Sequence, residues 1–81
     1  MNSDIKNELN KLLVICVGCS EDNINDVAHI VDDLGADSLA LVDLAVKVGA
    51  HFKFEFNEAD MIRMETVSDL YNIISDKING H

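Results

Sequence analysis

The run from Ser38 to about Phe52 constrains this chain most. Leu39, Leu41, Val42, Leu44, Ala45, Val46 and Val48 place apolar side chains on more than one face of any helix formed there. Such a helix must be covered by other elements. No segment reaches the ~18 apolar residues of a membrane span, so the cover has to come from protein. The chain has no proline and four glycines, which suits helices joined by loops better than a hairpin-rich sheet.

The flanking segments supply that cover. Ile5, Leu9, Leu12, Leu13 and Cys16 recur at helical spacing and predict a first helix. It begins at Ser3 or Asp4, with Ser3 as a cap, and stops at Gly18. Lys53-Phe54-Glu55-Phe56 alternates like a strand, but four residues without a partner make no sheet. It is read as an extended link with Phe56 in the core. Asn57 is positioned to cap a short helix through about Arg63. Thr66, with Asp69 three residues on, predicts the start of a last helix. The stripe Val67, Leu70, Tyr71, Ile74 and Ile78 fills its buried face, and Gly80 is a natural stop. The expectation is a single all-α domain over residues 1–81, a small bundle of three main helices plus one short helix.

A long connection separates the first helix from the second, from about Cys19 to Gly35. Its opening is polar, and Ile24, Val27, Ile30, Val31 and Leu34 are expected to anchor it to the core. A connection of this length is functional or contains a short helical turn. It ends in Asp33-Leu34-Gly35-Ala36-Asp37-Ser38-Leu39. Gly35 marks a break, and Asp37 and Ser38 are both favoured cap types. Ser38 therefore falls where loop becomes helix. A helix start offers unpaired N–H groups and the positive end of the macrodipole, so a serine there can carry a phosphodiester.

Charge narrows the classes of function. Fifteen acidic residues against six basic ones give a net charge of −9. That surface repels nucleic-acid phosphates and anionic membranes, and attracts proteins with basic patches. Met1-Asn2-Ser3-Asp4 lacks the basic flank of a signal peptide, so the expected location is cytoplasmic.

Other chemistry is poorly supported. Cys16-Val17-Gly18-Cys19 spells C-x-x-C, but at a helix end in a helical chain rather than in a βαβ context. A zinc site would need two further ligands, and His29, His51 and His81 are scattered. Asp22 to Asp26 lacks an oxygen ligand at Ile24 and the glycine an EF-hand needs at Val27. No metal site is expected. Ser38 has no glycine-flanked elbow and no histidine placed to activate it, so no hydrolase constellation is evident.

Leu34-Gly35-Ala36-Asp37-Ser38-Leu39 resembles the attachment motif of acyl carrier proteins. The similarity extends without a gap from about Ile24 to Ile78, through Phe52, Phe56 and Met64-Glu65-Thr66-Val67. The resemblance implies 4′-phosphopantetheine, derived from coenzyme A, on Ser38, with Asp37 and Leu39 beside it. Acyl intermediates of a fatty-acid, polyketide or other lipid pathway would then ride on the arm as thioesters. It also implies an apolar cleft, for which Leu44, Val48, Phe56, Met61, Met64 and Leu70 are candidate lining residues. Its partners would be a phosphopantetheinyl transferase and acyl-transferring and synthase enzymes, meeting a monomer at Asp37, Leu39, Leu41 and Asp43.

Two alternatives stand beside this reading. One is a helical interaction module with no prosthetic group. The other is a small thiol enzyme using Cys16 and Cys19, which needs at least one strongly acidic thiol. The chain also departs from the pattern it resembles. Fatty-acid carriers usually present an acidic second helix with a glutamate-rich turn before the phenylalanine matching Phe52. Here that turn is Gly49-Ala50-His51, preceded by Lys47, while Ala40 and Leu41 replace polar residues. Two readings follow: drift, with the loops and other helices supplying enough negative charge, or, as favoured here, partners that recognise a more apolar second helix.

Overall fold

A computed structural model describes residues 3–79. Four α-helices follow in order: α1 (Ser3–Val17), α2 (Ser38–Phe52), α3 (Glu58–Arg63) and α4 (Val67–Ile78). A single 3₁₀ turn at Glu21–Asn23 interrupts the long connection. No strand forms among the described residues; Lys53–Phe56 is a link, and one isolated bridge joins His29 to Thr66. The fold is a small all-α bundle. The capping side chain of Ser3 and the stop at Gly80 lie outside the described residues.

Local chemistry accounts for the helix ends. Gly18 takes a left-handed φ of +80° just after α1. Asn57 and Asp60 form a reciprocal capping box at α3, and Thr66 and Asp69 form another at α4. Each box satisfies two backbone N–H groups that the helix start would leave bare.

Leu9 and Leu13 of α1, Leu44 and Val48 of α2, and Leu70, Ile73 and Ile74 of α4 form the centre of the core, with Ile30 from the connection. The expected stripe of α4 is corrected in two places. Ile73 is buried as well as Ile74, and Ile78 at the last turn is exposed. Phe56 is half-buried, packing on the core from its edge.

The anchors of the connection also need correcting. Ile30 and Leu34 are buried and Ile24 packs against the core, but Val27 and Val31 are exposed. Ala28 and Ala36 take inward positions instead. Backbone hydrogen bonds do the rest. Ile30 N–H donates to the Glu65 carbonyl at 2.8 Å, and Val67 and Ser68 N–H donate to Ala28 and Asp26 at 3.0 Å. The connection is thereby pinned to the entrance of α4.

Candidate functional site

The connection closes with a compact turn that aims the chain into α2. His29 N–H donates to the Asp33 carboxylate at 2.7 Å, and Asp33 N–H returns to the His29 carbonyl at 2.8 Å. Gly35 then adopts φ +82°, a left-handed conformation that favours glycine, and Ala36 N–H bonds the Ile30 carbonyl at 3.1 Å. Buried Ala36 fixes the last step before the helix.

Asp37 is the cap of α2. Its carboxylate accepts from Ala40 N–H at 2.8 Å, and its carbonyl accepts from Leu41 N–H at 3.0 Å. Ser38 is thus the first helical residue rather than the cap, and it is exposed. With Asp37 doing the capping, the Ser38 hydroxyl is left for chemistry. The N–H groups of a first turn and the helix dipole favour a phosphate held there. The exposed hydroxyl and open surroundings fit a phosphodiester-linked arm.

Below Ser38, α2 divides into two faces. Leu44 and Val48 are buried, while Leu39, Val42 and Val46 are 80%, 55% and 64% exposed. The outward apolar surface is therefore Leu39, Val42 and Val46, with exposed Ala50 continuing the stripe. Leu41, expected at the partner surface, is half-buried and packs against the core, as does Ala40. The charge on α2 is locally balanced. Asp43 receives a hydrogen bond from Lys47 at 3.1 Å, and His51 lies 3.5 Å from Glu8 of α1.

One side of this face opens into a groove of about 750 Å³ between α2, the link and α3. Its walls include Val46, Gly49, Phe54, Phe56 and Met61. Of the six cleft candidates, the structure brings Phe56 and Met61 to the groove and places Leu44, Val48, Met64 and Leu70 in the closed core. Phe54 and Phe56 pair with ring centres 5.0 Å apart. Val42, Ala45, Val46 and Phe54 also form the walls, outside the six candidates.

An exposed serine thus stands at a capped helix start, with an apolar groove beside the helix. The family described as "Phosphopantetheine attachment site" matches residues 8–74. The chain belongs to the acyl carrier protein family. It is 37% identical to an acyl carrier protein of Thermotoga maritima over 76% of each chain. It is 38% identical to an acyl carrier protein of Coprothermobacter proteolyticus over 88% of this chain and 87% of the relative. Membership makes this a carrier rather than a catalyst, with 4′-phosphopantetheine as its covalent group.

The cysteines do not offer a competing site. Burial pushes the Cys16 thiol above its ordinary range, and the neighbouring Asp43 carboxylate adds to the effect against the opposing pull of Lys47. Burial likewise pushes Cys19 up. Both shifts run opposite to what a nucleophilic thiol needs. No group of three or more metal-ligating side chains gathers among the described residues, and no helix there is long and apolar enough to cross a membrane.

Proposed function

We propose that Ser38 is the attachment residue and that the groove beside α2 receives the acyl chain. The observation that carries this is the position of Ser38: exposed, first in α2, and relieved of the capping role by Asp37. The group supplies a thiol on a flexible arm, and the thioester is held at high effective concentration before each partner enzyme. The chain's own part is to present the hydroxyl and shelter the cargo. The groove begins at Val42, one turn beyond Ser38, and continues to Lys53. At ~1.5 Å per residue its lining therefore begins ~6 Å along the helix axis from the attachment point.

The test is intact mass and peptide mapping after incubation with a phosphopantetheinyl transferase, coenzyme A and Mg²⁺. The expected adduct maps to Ser38 and disappears in Ser38→Ala. An adduct that persists in Ser38→Ala places the attachment elsewhere. Ser38→Ala should leave stability within ~0.5 kcal/mol of the parent, whereas Asp37→Ala should cost ~1 kcal/mol because it removes the cap.

The partner face is read more finely from Leu39, Val42 and Val46. With Asp43 tied to Lys47, α2 presents apolar contact and little net charge in a protein of net −9. Partners that dock on α2 are expected to do so through apolar pockets, with Asp37 and Asp43 guiding the transferase. A general fatty-acid ketosynthase should bind weakly, and Ala50→Glu with His51→Glu should strengthen that binding in a salt-dependent way. Tight binding by the unaltered carrier, indifferent to the two glutamates, would defeat this. A monomeric carrier in the cytoplasm is in keeping with the free cysteines Cys16 and Cys19.

A further inference from the structure

Of the groove walls, α3 has the slightest anchorage. It is six residues long, and Asp60 is its one buried side chain. Ile62 faces outward at 75% exposure, and half-buried Met61 lines the groove. A helix this short has almost no stability of its own, so its place depends on what ties it down.

Two kinds of tie are present. The capping box closes α3 on itself: Asp60 N–H donates to Asn57 Oδ1 at 2.8 Å, and Asn57 N–H donates to Asp60 Oδ2 at 3.1 Å. Neither bond fixes α3 to the bundle. The same Asp60 Oδ2 also lies 2.9 Å from Lys77 Nζ of α4, with the Asp60 side chain 7% exposed. Arg63 and Asp76 sit 3.9 Å apart and are both mostly exposed, so they add little. Half-buried Met61 packs on the core from within α3, as do half-buried Phe56 and buried Met64 at either end.

We propose that the Asp60–Lys77 pair is a latch holding α3 against α4, and that its release lets α3 swing on Phe56 and Met64 and widen the groove. Asp60 and Lys77 are then positioning residues for the apolar chain the groove admits, so the role of the latch rests on the groove reading above. A well-packed apolar contact at this point would serve stability as well. This pair behaves differently: the Asp60 carboxylate is buried while Lys77 is 30% exposed, so withdrawing the ammonium leaves a buried carboxylate without its counter-charge. Such a contact favours two arrangements, docked and released, over a continuum.

Amide hydrogen exchange on the protein without its arm tests the latch. The reporter is Met61 N–H, which bonds the Asn57 carbonyl at 3.1 Å. Lys77→Met keeps the aliphatic stem and should speed Met61 exchange about tenfold relative to the amides of α2 and α4. Lys77→Arg should restore protection. Lys6→Met, which breaks the 2.8 Å pair with Asp26 on the other side of the bundle, should lower stability without selective exposure of Met61. Unchanged Met61 exchange in Lys77→Met, or the same selective rise in Lys6→Met, overturns the proposal. If Lys77→Met does not fold, Asp60→Asn decides, since it keeps an oxygen for Asn57 N–H and loses the charge. Unaccelerated exchange there is equally fatal. The groove reading is judged separately, by methyl shifts of Val46 and Met61 when an acyl chain is attached through Ser38. Their absence would remove the acyl cargo while leaving the exchange result intact.

Discussion

Gly49→Ala is the substitution for which helix propensity and packing give opposite signs. Gly49 lies inside α2, three residues from its end, where alanine should gain ~1 kcal/mol from propensity alone. A Cβ built at Gly49 would stand 2.5 Å from the Phe54 carbonyl oxygen, about 0.9 Å inside the 3.4 Å at which ordinary contact begins. The obstructing atom is backbone and cannot rotate aside. Phe54 N–H also donates to the Gly49 carbonyl at 2.9 Å, so moving the link strains the bond that closes the helix. Overpacking costs ~1–3 kcal/mol, and a weakened hydrogen bond costs up to ~1 kcal/mol more. Set against the propensity gain, these terms leave a net loss of up to ~3 kcal/mol. Urea denaturation should show a lower midpoint with an unchanged slope, and thermal unfolding a drop of up to roughly 12–24 °C. Ala50→Gly, one residue on and exposed, should cost ~1 kcal/mol through propensity. Opposite exchanges at adjacent positions would then both destabilise. A Gly49→Ala protein as stable as the parent, or more so, would show that the link yields freely and that close approach is not what selects glycine.

Lys53 ends α2 at φ +63°, the one non-glycine residue with positive φ among those described, so Lys53→Gly should raise stability by ~0.5–1 kcal/mol after the entropy of the unfolded chain is counted; a lower urea midpoint would contradict this. Burial alone would raise the Asp60 pKa, but the hydrogen bonds from Lys77 and Asn57 and the charges of Lys77 and Arg63 outweigh it and hold the carboxyl below its ordinary range. A carboxyl depressed in the folded state contributes stability above the unfolded pKa of ~4 and loses it as pH falls through the lower folded value. The advantage of the parent over Asp60→Asn should therefore be full at pH 7 and shrink as the pH drops below ~4, and a gap independent of pH would sink the argument. The net charge of −9 predicts that moderate NaCl or Mg²⁺ raises the melting temperature, since most of the described ion pairs are exposed and worth little; a steady fall with salt would mean that those pairs dominate.

What could be read from the sequence follows from how local its cause is. The bounds of α2, and the caps at Asn57 and Thr66, rest on residues within one turn of each other. Val27 and Val31, expected inward, lie outward because the connection has no period to say which apolar side chain points where. Its fixed course comes from backbone bonds to Glu65, Val67 and Ser68, some forty residues away and silent in side-chain chemistry. The cleft shows a second limit. A helical stripe identifies Leu44, Val48 and Leu70 as inward, but whether an inward position meets solid core or open groove depends on the link and α3 across from it. Gly49 carries a propensity cost inside α2, and only the structure shows the close approach of the Phe54 carbonyl that goes with it.

The two ends of the site are held by different means. At the Ser38 end, an irregular connection carries a large entropic cost of ordering, and loops of this length persist where their position matters. Here bonds to α4, the His29–Asp33 turn and the buried side chains Ile30, Leu34 and Ala36 hold the approach to Ser38. That allows Ser38 and Leu39 to stand exposed without being needed for the core. At the groove end, α3 contributes one buried side chain, a carboxylate whose partner is on another helix. A carrier must present its arm at a constant place yet take up and surrender cargo. If Ser38 bears the arm as proposed, its tightly bonded approach and a short α3, held by the core packing of Met61 and by ion pairs to α4, divide those two demands between separate parts of one small bundle.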